Sequence, residues 1–402
     1  MYYHLKASNI RTLELDGIKF VSRDDVLSMK MPRSDAGKDK LEKGNSATKP
    51  SDSSHAASLQ ISDQTPSFEI DADIRKAKSL PSEFYIDPLY FELSKEKIFA
   101  RSWLFAGHRD EPGNIRPFAL LPGFINENLL ITQSDESLRC LSNVCTHRGK
   151  LLVENACDAK LIRCGYHGRR FSLAGKFLSM PEFENVVDFP TERDNLANVP
   201  IEEFGKFLFV SLEPVDSFQN FVNEEIIGPI GNGELRFASI RTYKVAAHWA
   251  LYCENYLEGF HIPYVHKGLN EVIEYDRYET KTYRYASVQT GFDSSGKVAG
   301  RYVFIFPNTM FNFYPWGLSV NVVRPLAINR TAVDFITYVS NESMMSEGAG
   351  ADLHRVELED EAVVASVQRG IRSRFYSHGR YSPTREQGTH HFHRLIAEFM
   401  NR

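Results

Sequence analysis

Two short boxes constrain this chain more than any other feature: Cys145-Thr-His147 and, after sixteen intervening residues, Cys164-Gly-Tyr-His167. A thiolate and an imidazole in each box, carried on two loops, can close around one metal centre. Structural zinc sites pair like ligands, in C-x2–4-C and H-x3–5-H spacings. Here each box mixes one cysteine with one histidine, which suits a two-iron, two-sulfur cluster with both thiolates on one iron and both imidazoles on the other.

The chain has five cysteines in 402 residues. That number is odd and sparse, which argues against a disulfide framework. Cys140, Cys157 and Cys253, outside the boxes, are expected as small buried hydrophobes. A net charge of −5 offers no basic footprint for nucleic acid. The opening MYYHLKASNIRTLEL has no charged stretch followed by an apolar one, so no signal peptide is expected. Apolar runs such as residues 206–212 are too short for a bilayer. Together these features point to a cytoplasmic protein without membrane or nucleic-acid partners.

Residues 1–67 read as an N-terminal extension. From about residue 33 it is rich in Ser, Asp, Lys and Gly, so it is expected to be disordered; Ile18, Phe20, Val21, Val26 and Leu27 suggest a small element before that. Residues 68–100 form a helical lead-in with an apolar stripe at Tyr90, Leu93, Ile98 and Phe99. Over 101–215, short apolar runs between turn residues predict a small antiparallel β domain that carries the cluster. Residues 216–402 alternate helix with long β stretches. Arg301 to Val339 is almost all strand, broken at Pro307-Asn308 and Asn329-Arg330, and helices are expected over 357–375 and 391–400.

Asn143-Val-Cys-Thr-His-Arg-Gly149 and Cys164-Gly-Tyr-His-Gly168 resemble the cluster boxes of Rieske non-haem iron oxygenases. Arg169 departs from that pattern, since many such oxygenases carry Trp there. The segment Glu254-Asn-Tyr-Leu-Glu258-Gly-Phe-His261-Ile-Pro-Tyr-Val-His266 resembles their iron-binding segment, with Pro263 expected to end its helix. Two histidines and a carboxylate form the facial triad of non-haem Fe(II) oxygenases. The resemblance makes Cys145, His147, Cys164 and His167 the cluster ligands, and His261, His266 and Asp360 the iron ligands. Asp360 is placed at a helix start before Val-Gln-Arg-Gly370, where Glu359 is the next choice. Glu258 corresponds to the carboxylate that bridges a cluster histidine of one subunit to an iron histidine of its neighbour, and Asn255 joins it as a candidate catalytic residue. A Glu at this position is similar to quaternary-amine monooxygenases such as choline monooxygenase, whereas ring-hydroxylating dioxygenases usually carry Asp.

The resemblance, which spans roughly residues 80–402, implies an α+β fold: a β-rich Rieske [2Fe-2S] domain beside a helix-grip-like catalytic domain with a curved antiparallel sheet. It also implies O2 and a small organic substrate, a head-to-tail homotrimer, and electrons from a separate NAD(P)H-dependent reductase or a ferredoxin. No G-x-G-x-x-G run appears, because Arg236 stands where Gly231-Asn-Gly233 would need its third glycine. Hydroxylation of a quaternary amine is the favoured reading. Aromatic-ring dioxygenation is the alternative, and a pure electron carrier the second, although a carrier has no need of His261, His266 and Asp360. The aromatic run Tyr302, Phe304, Phe306, Phe311, Phe313, Tyr314 and Trp316 suits a cation cage, an arene pocket or ordinary sheet core.

Overall fold

The computed structural model describes residues 14–15, 18–19, 67–134, 137–228, 235–270, 274–345 and 353–402. Residues 1–64 and 65–402 form separate compact units. In the first, strands Glu14–Leu15 and Ile18–Lys19 pair antiparallel. The disorder expected from residue 33 to 66 lies outside the described residues.

The lead-in forms helix Pro88–Ser94, capped by Asp87, whose side chain accepts from the Leu89 N–H at 2.9 Å. It runs on as a π-turn, Lys95–Phe99. A π-turn inserts an extra residue, which is how Ile98 and Phe99 join the face of Tyr90 and become fully buried.

Next come three small antiparallel sheets. One has Asn198–Val199, Leu138–Ser142, Glu127–Gln133 and Ile115–Leu120 in that order; another has Ile201–Phe204, Phe207–Val210 and Leu104–His108; the third has Ile162–Arg163, Arg170–Phe171 and Phe177–Ser179. A small core of Ile115, Leu130, Leu141, Leu152, Ile162, Phe171 and Leu196 lies beneath the two boxes, and Cys145 and Cys164 belong to it.

The last part is built on a seven-stranded antiparallel sheet in the order Arg236–Val245, Arg330–Val339, Gly317–Ala327, Thr309–Tyr314, Val298–Ile305, Ala286–Phe292, Glu279–Thr282. Side chains alternate across a strand, which splits the aromatic run. On one face Phe311 meets Phe207 at 5.3 Å and Phe105 at 6.3 Å, joining this sheet to the smaller one. A fully buried Phe of this kind is worth about 3–5 kcal/mol against Ala. On the other face Phe304 and Phe306 pack on Phe392 of helix Gln387–Asn401. The α+β expectation therefore holds.

Several local expectations need correction. The second-last helix is Leu353–Gly370, not 357–375, and Asp360 sits two turns inside it rather than at its start. The last helix begins at Gln387 rather than 391. Pro263 ends no helix. The helix before it, Trp249–Tyr256, stops earlier, and Pro263 lies in the first turn of Ile262–Val265, where its missing N–H costs nothing. Cys157 is exposed, not buried: its backbone bridges to Ile115 and its side chain turns away from the core.

Candidate metal centres and active site

The two boxes fold into matching loops. The Cys145 N–H donates to the Lys150 carbonyl at 2.9 Å and the Gly149 N–H to the Cys145 carbonyl at 3.0 Å; the Cys164 N–H donates to Arg169 at 2.8 Å and the Gly168 N–H to Cys164 at 3.1 Å. Gly149 and Gly168 close the loops in the left-handed region, at φ +70° and +76°, which L side chains rarely adopt. The loops meet through their histidines. Cys145 and Cys164 are each 2% exposed. The His147 and His167 rings lie 4.8 Å apart on the outer side. Burial raises the proton affinity of Cys164, but the Tyr166 N–H, 3.5 Å from its sulfur, and the other donors around it outweigh that and favour the thiolate. Two inner thiols and two outer imidazoles fit a [2Fe-2S] cluster.

The second site lies between helices Trp249–Tyr256 and Leu353–Gly370. The Gln368 side-chain oxygen ties them together by accepting from the His248 N–H at 2.6 Å. His261, His266 and Asp360 place one ligand atom each within 4.8 Å of one another. His261 Nε2 lies 3.2 Å from His266 Nε2 and 3.5 Å from Asp360 Oδ1, and His266 Nε2 lies 3.0 Å from that same oxygen. The opposite ring nitrogens meet carboxylates: His261 Nδ1 is 2.6 Å from Glu258 and His266 Nδ1 is 2.8 Å from Glu359. Such carboxylates orient imidazole and raise its basicity. Asn255 Nδ2 donates to Asp360 Oδ1 at 2.7 Å. Burial opposes charge on His266, yet Asp360 and Glu359 on its two nitrogens raise its pKa all the same. The cluster of groups thus favours positive charge at its centre, as a divalent cation site must. Glu359 is not brought among the three converging donors. The sequence offered Glu359 only as the next choice for a ligand, and nothing in it pointed to a role as the partner of His266.

A cavity of about 110 Å³ opens beside these residues, well below the ~300–1,000 Å³ of drug-sized pockets. Tyr252, Tyr256, Tyr278, Tyr302 and Tyr314 line it, with Asn312 and Asn321, and its described lining has no Lys or Arg. Tyr302 and Tyr314 come from the aromatic run. Tyr252, Asn255 and Tyr256 share a helix face at i, i+3, i+4, a spacing readable in the sequence; Tyr278 carried no such signal.

Glu357 also lines the cavity and is 3% exposed. Burial, only partly offset by a 2.7 Å hydrogen bond from the Tyr252 hydroxyl, pushes its carboxyl up to about 8. Between pH 4.5 and about 8, the folded chain keeps a proton that the unfolded chain releases. Stability therefore falls as pH rises through that window. Glu357→Gln removes the titration and keeps the acceptor. In metal-free protein, its gain in Tm over wild type should be larger at pH 8 than at pH 5. Equal gains at the two pH values would contradict the buried-acid account.

A model of the Rieske [2Fe-2S] domain matches residues 121–190, and one of the ring hydroxylating alpha subunit (catalytic domain) matches residues 282–402. The chain thus joins the two domains of a Rieske non-haem iron oxygenase. It is 27% identical over 369 residues to the chloroplastic choline monooxygenase of Arabidopsis thaliana, covering 84% of this chain and 86% of that one. It is 28% identical over 357 residues to the carnitine monooxygenase oxygenase subunit of Escherichia coli, covering 81% and 95%. A crystal structure of a quaternary ammonium Rieske monooxygenase in complex with L-carnitine superposes with a TM-score of 0.68 at 26% identity, covering 83% of this chain and all of that one. The oxygenase thus carries a [2Fe-2S] cluster and a non-haem iron, and its family draws electrons from a separate reductase or ferredoxin. No helix among the described residues is long and apolar enough to cross a membrane.

Proposed function

We propose that this oxygenase hydroxylates a small quaternary amine. The observation that carries this reading is the compact cavity beside the three converging donors, walled by five tyrosines and by carboxylates, with no basic side chain in its described lining. Aromatic faces attract a desolvated ammonium by about 2 kcal/mol or more. The relatives named for choline and carnitine oxidation point the same way.

In this reading Cys145, His147, Cys164 and His167 hold the cluster, and His261, His266 and Asp360 hold the iron. When bound, the cluster supplies single electrons and the iron the place where O2 is activated. Glu258 and Glu359 fix the two imidazoles so that both Nε2 atoms face inward. Asn255 holds the Asp360 carboxylate in place. The tyrosines orient the cation and keep water away.

The cluster domain spans 101–215 and the catalytic domain 216–402. We assign a homotrimer in which the Glu258 of one subunit meets the His167 of the next. Exposed apolar side chains flank both ends of the proposed contact, with Tyr166 against His167 and Phe260 next to Glu258. The free cysteines fit a reducing, cytoplasmic setting.

The test is O2 uptake with a surrogate reductase. Choline, carnitine or a related trimethylammonium compound should stimulate uptake at least tenfold over the substrate-free rate. Stimulation by arenes alone would overturn the assignment.

A further inference from the structure

Arg169 follows directly on the second cluster loop, and its side chain is 2% exposed. The guanidinium sits among three rings, 4.9 Å from Phe177, 5.3 Å from Phe189 and 5.9 Å from Phe171. Its Nη2 is 2.5 Å from Asp194 Oδ1. Asp194 is itself fixed, because its other carboxylate oxygen accepts from the Thr191 N–H at 2.7 Å and from the Thr191 hydroxyl at 3.1 Å. The Asp194 carbonyl accepts from the Thr146 hydroxyl at 2.8 Å, and Thr146 stands between Cys145 and His147. One ion pair therefore reaches both cluster loops, the second through the Arg169 backbone and the first through Thr146.

The pair is buried at its Arg169 end, while Asp194 is 18% exposed, and it is a weak source of stability because desolvation offsets most of the attraction. Its consequence for a neighbouring redox group is larger. Reduction adds one negative charge to the cluster, and cluster potentials respond to nearby charge. A buried charge acts with little screening by salt.

We infer that the Arg169–Asp194 ion pair sets the reduction potential of the cluster, the cation raising it and the carboxylate lowering it, while the same pair holds the two loops together. The inference rests on the proposed cluster ligands and goes beyond them to two residues that ligate nothing.

The test is a redox titration of the purified holoprotein, followed by the visible and electron paramagnetic resonance spectra of the cluster, with acid-labile sulfide measured in parallel. Arg169→Met fills similar space without charge and should lower the potential. Asp194→Asn should raise it. Each shift should amount to about a tenfold change in the one-electron reduction equilibrium, which is about 59 mV. The double variant should return towards the wild-type value, and Arg169→Lys should stay close to it. Shifts of the same sign in both single variants, or none, would overturn the inference. If Arg169→Met fails to hold the cluster, the rise in Asp194→Asn is still required. Cluster loss from both would leave the pair a structural role only and overturn the tuning. A wild-type protein without a Rieske spectrum would instead refute the assignment of the ligands.

Discussion

Asp360→Ala protein should contain two irons and two acid-labile sulfides per chain, where the wild type contains three and two, and its substrate-dependent O2 uptake should fall by at least ~100-fold. The wild-type content is the sum of a two-iron cluster and one mononuclear iron. Asp360 Oδ1 is the one carboxylate oxygen among the three converging donors. Alanine leaves two imidazoles, which are too few to retain iron through purification. The cluster should be untouched, because its cysteines belong to a separate small core and its spectrum depends on none of these residues. Glu359 cannot stand in: its carboxylate holds the far nitrogen of His266 and also pairs with Arg355 at 3.1 Å. Iron and sulfide assays on both proteins, with O2 uptake, decide the matter. A variant that keeps its third iron and its turnover would move the third ligand elsewhere.

Glu258→Gln should show a different defect, with both metal contents at wild-type values and turnover reduced by ~100-fold. Three donors already meet the Glu258 carboxylate, which leaves about one of its four acceptor sites for a further partner. One oxygen takes His261 Nδ1 at 2.6 Å; the other accepts the N–H groups of Phe260 and of His261, the latter at 3.1 Å. An amide has one acceptor oxygen and one NH2 group. In either orientation the NH2 faces a donor, so one of these contacts is lost. The charge that would hold a cluster histidine of the neighbouring subunit is lost as well. In a single-turnover experiment, chemically reduced wild-type protein mixed with substrate and O2 should regain its visible absorbance rapidly. The variant should stay bleached, because the proposed bonded route between subunits is broken. Recovery at the wild-type rate in Glu258→Gln would show that Glu258 serves only to orient His261.

How far the sequence could be read depended on how local each feature is. Three candidate metal-binding motifs were legible because their donors lie within a few residues of one another: C-x-H, C-x2-H and H-x4-H each present two donors on one loop or turn. The β-rich and mixed halves were legible because alternation and helical periodicity are also local. The π-turn at Lys95–Phe99, the interruption of the site helix after Tyr256 and the end of the next helix at Gly370 were not. Each is settled by packing against distant residues, which overrides local preference.

The sequence by itself determined the chemistry of this protein, since the types and spacings of its cysteines and histidines admit few metal centres. The resemblance singled out Asp360, but only the tertiary structure decided what its acidic neighbours Glu357 and Glu359 do. They are equivalent in composition, but successive residues of a helix point about 100° apart. Asp360 is thereby aimed at the two Nε2 atoms, Glu359 at the back of His266, and Glu357 into the tyrosine-lined wall. The structure likewise divided the aromatic run, sending Phe311 into the core and Tyr302 and Tyr314 to the cavity. Which face of a strand meets a cavity depends on the helices packed over it, and those helices lie far away along the chain.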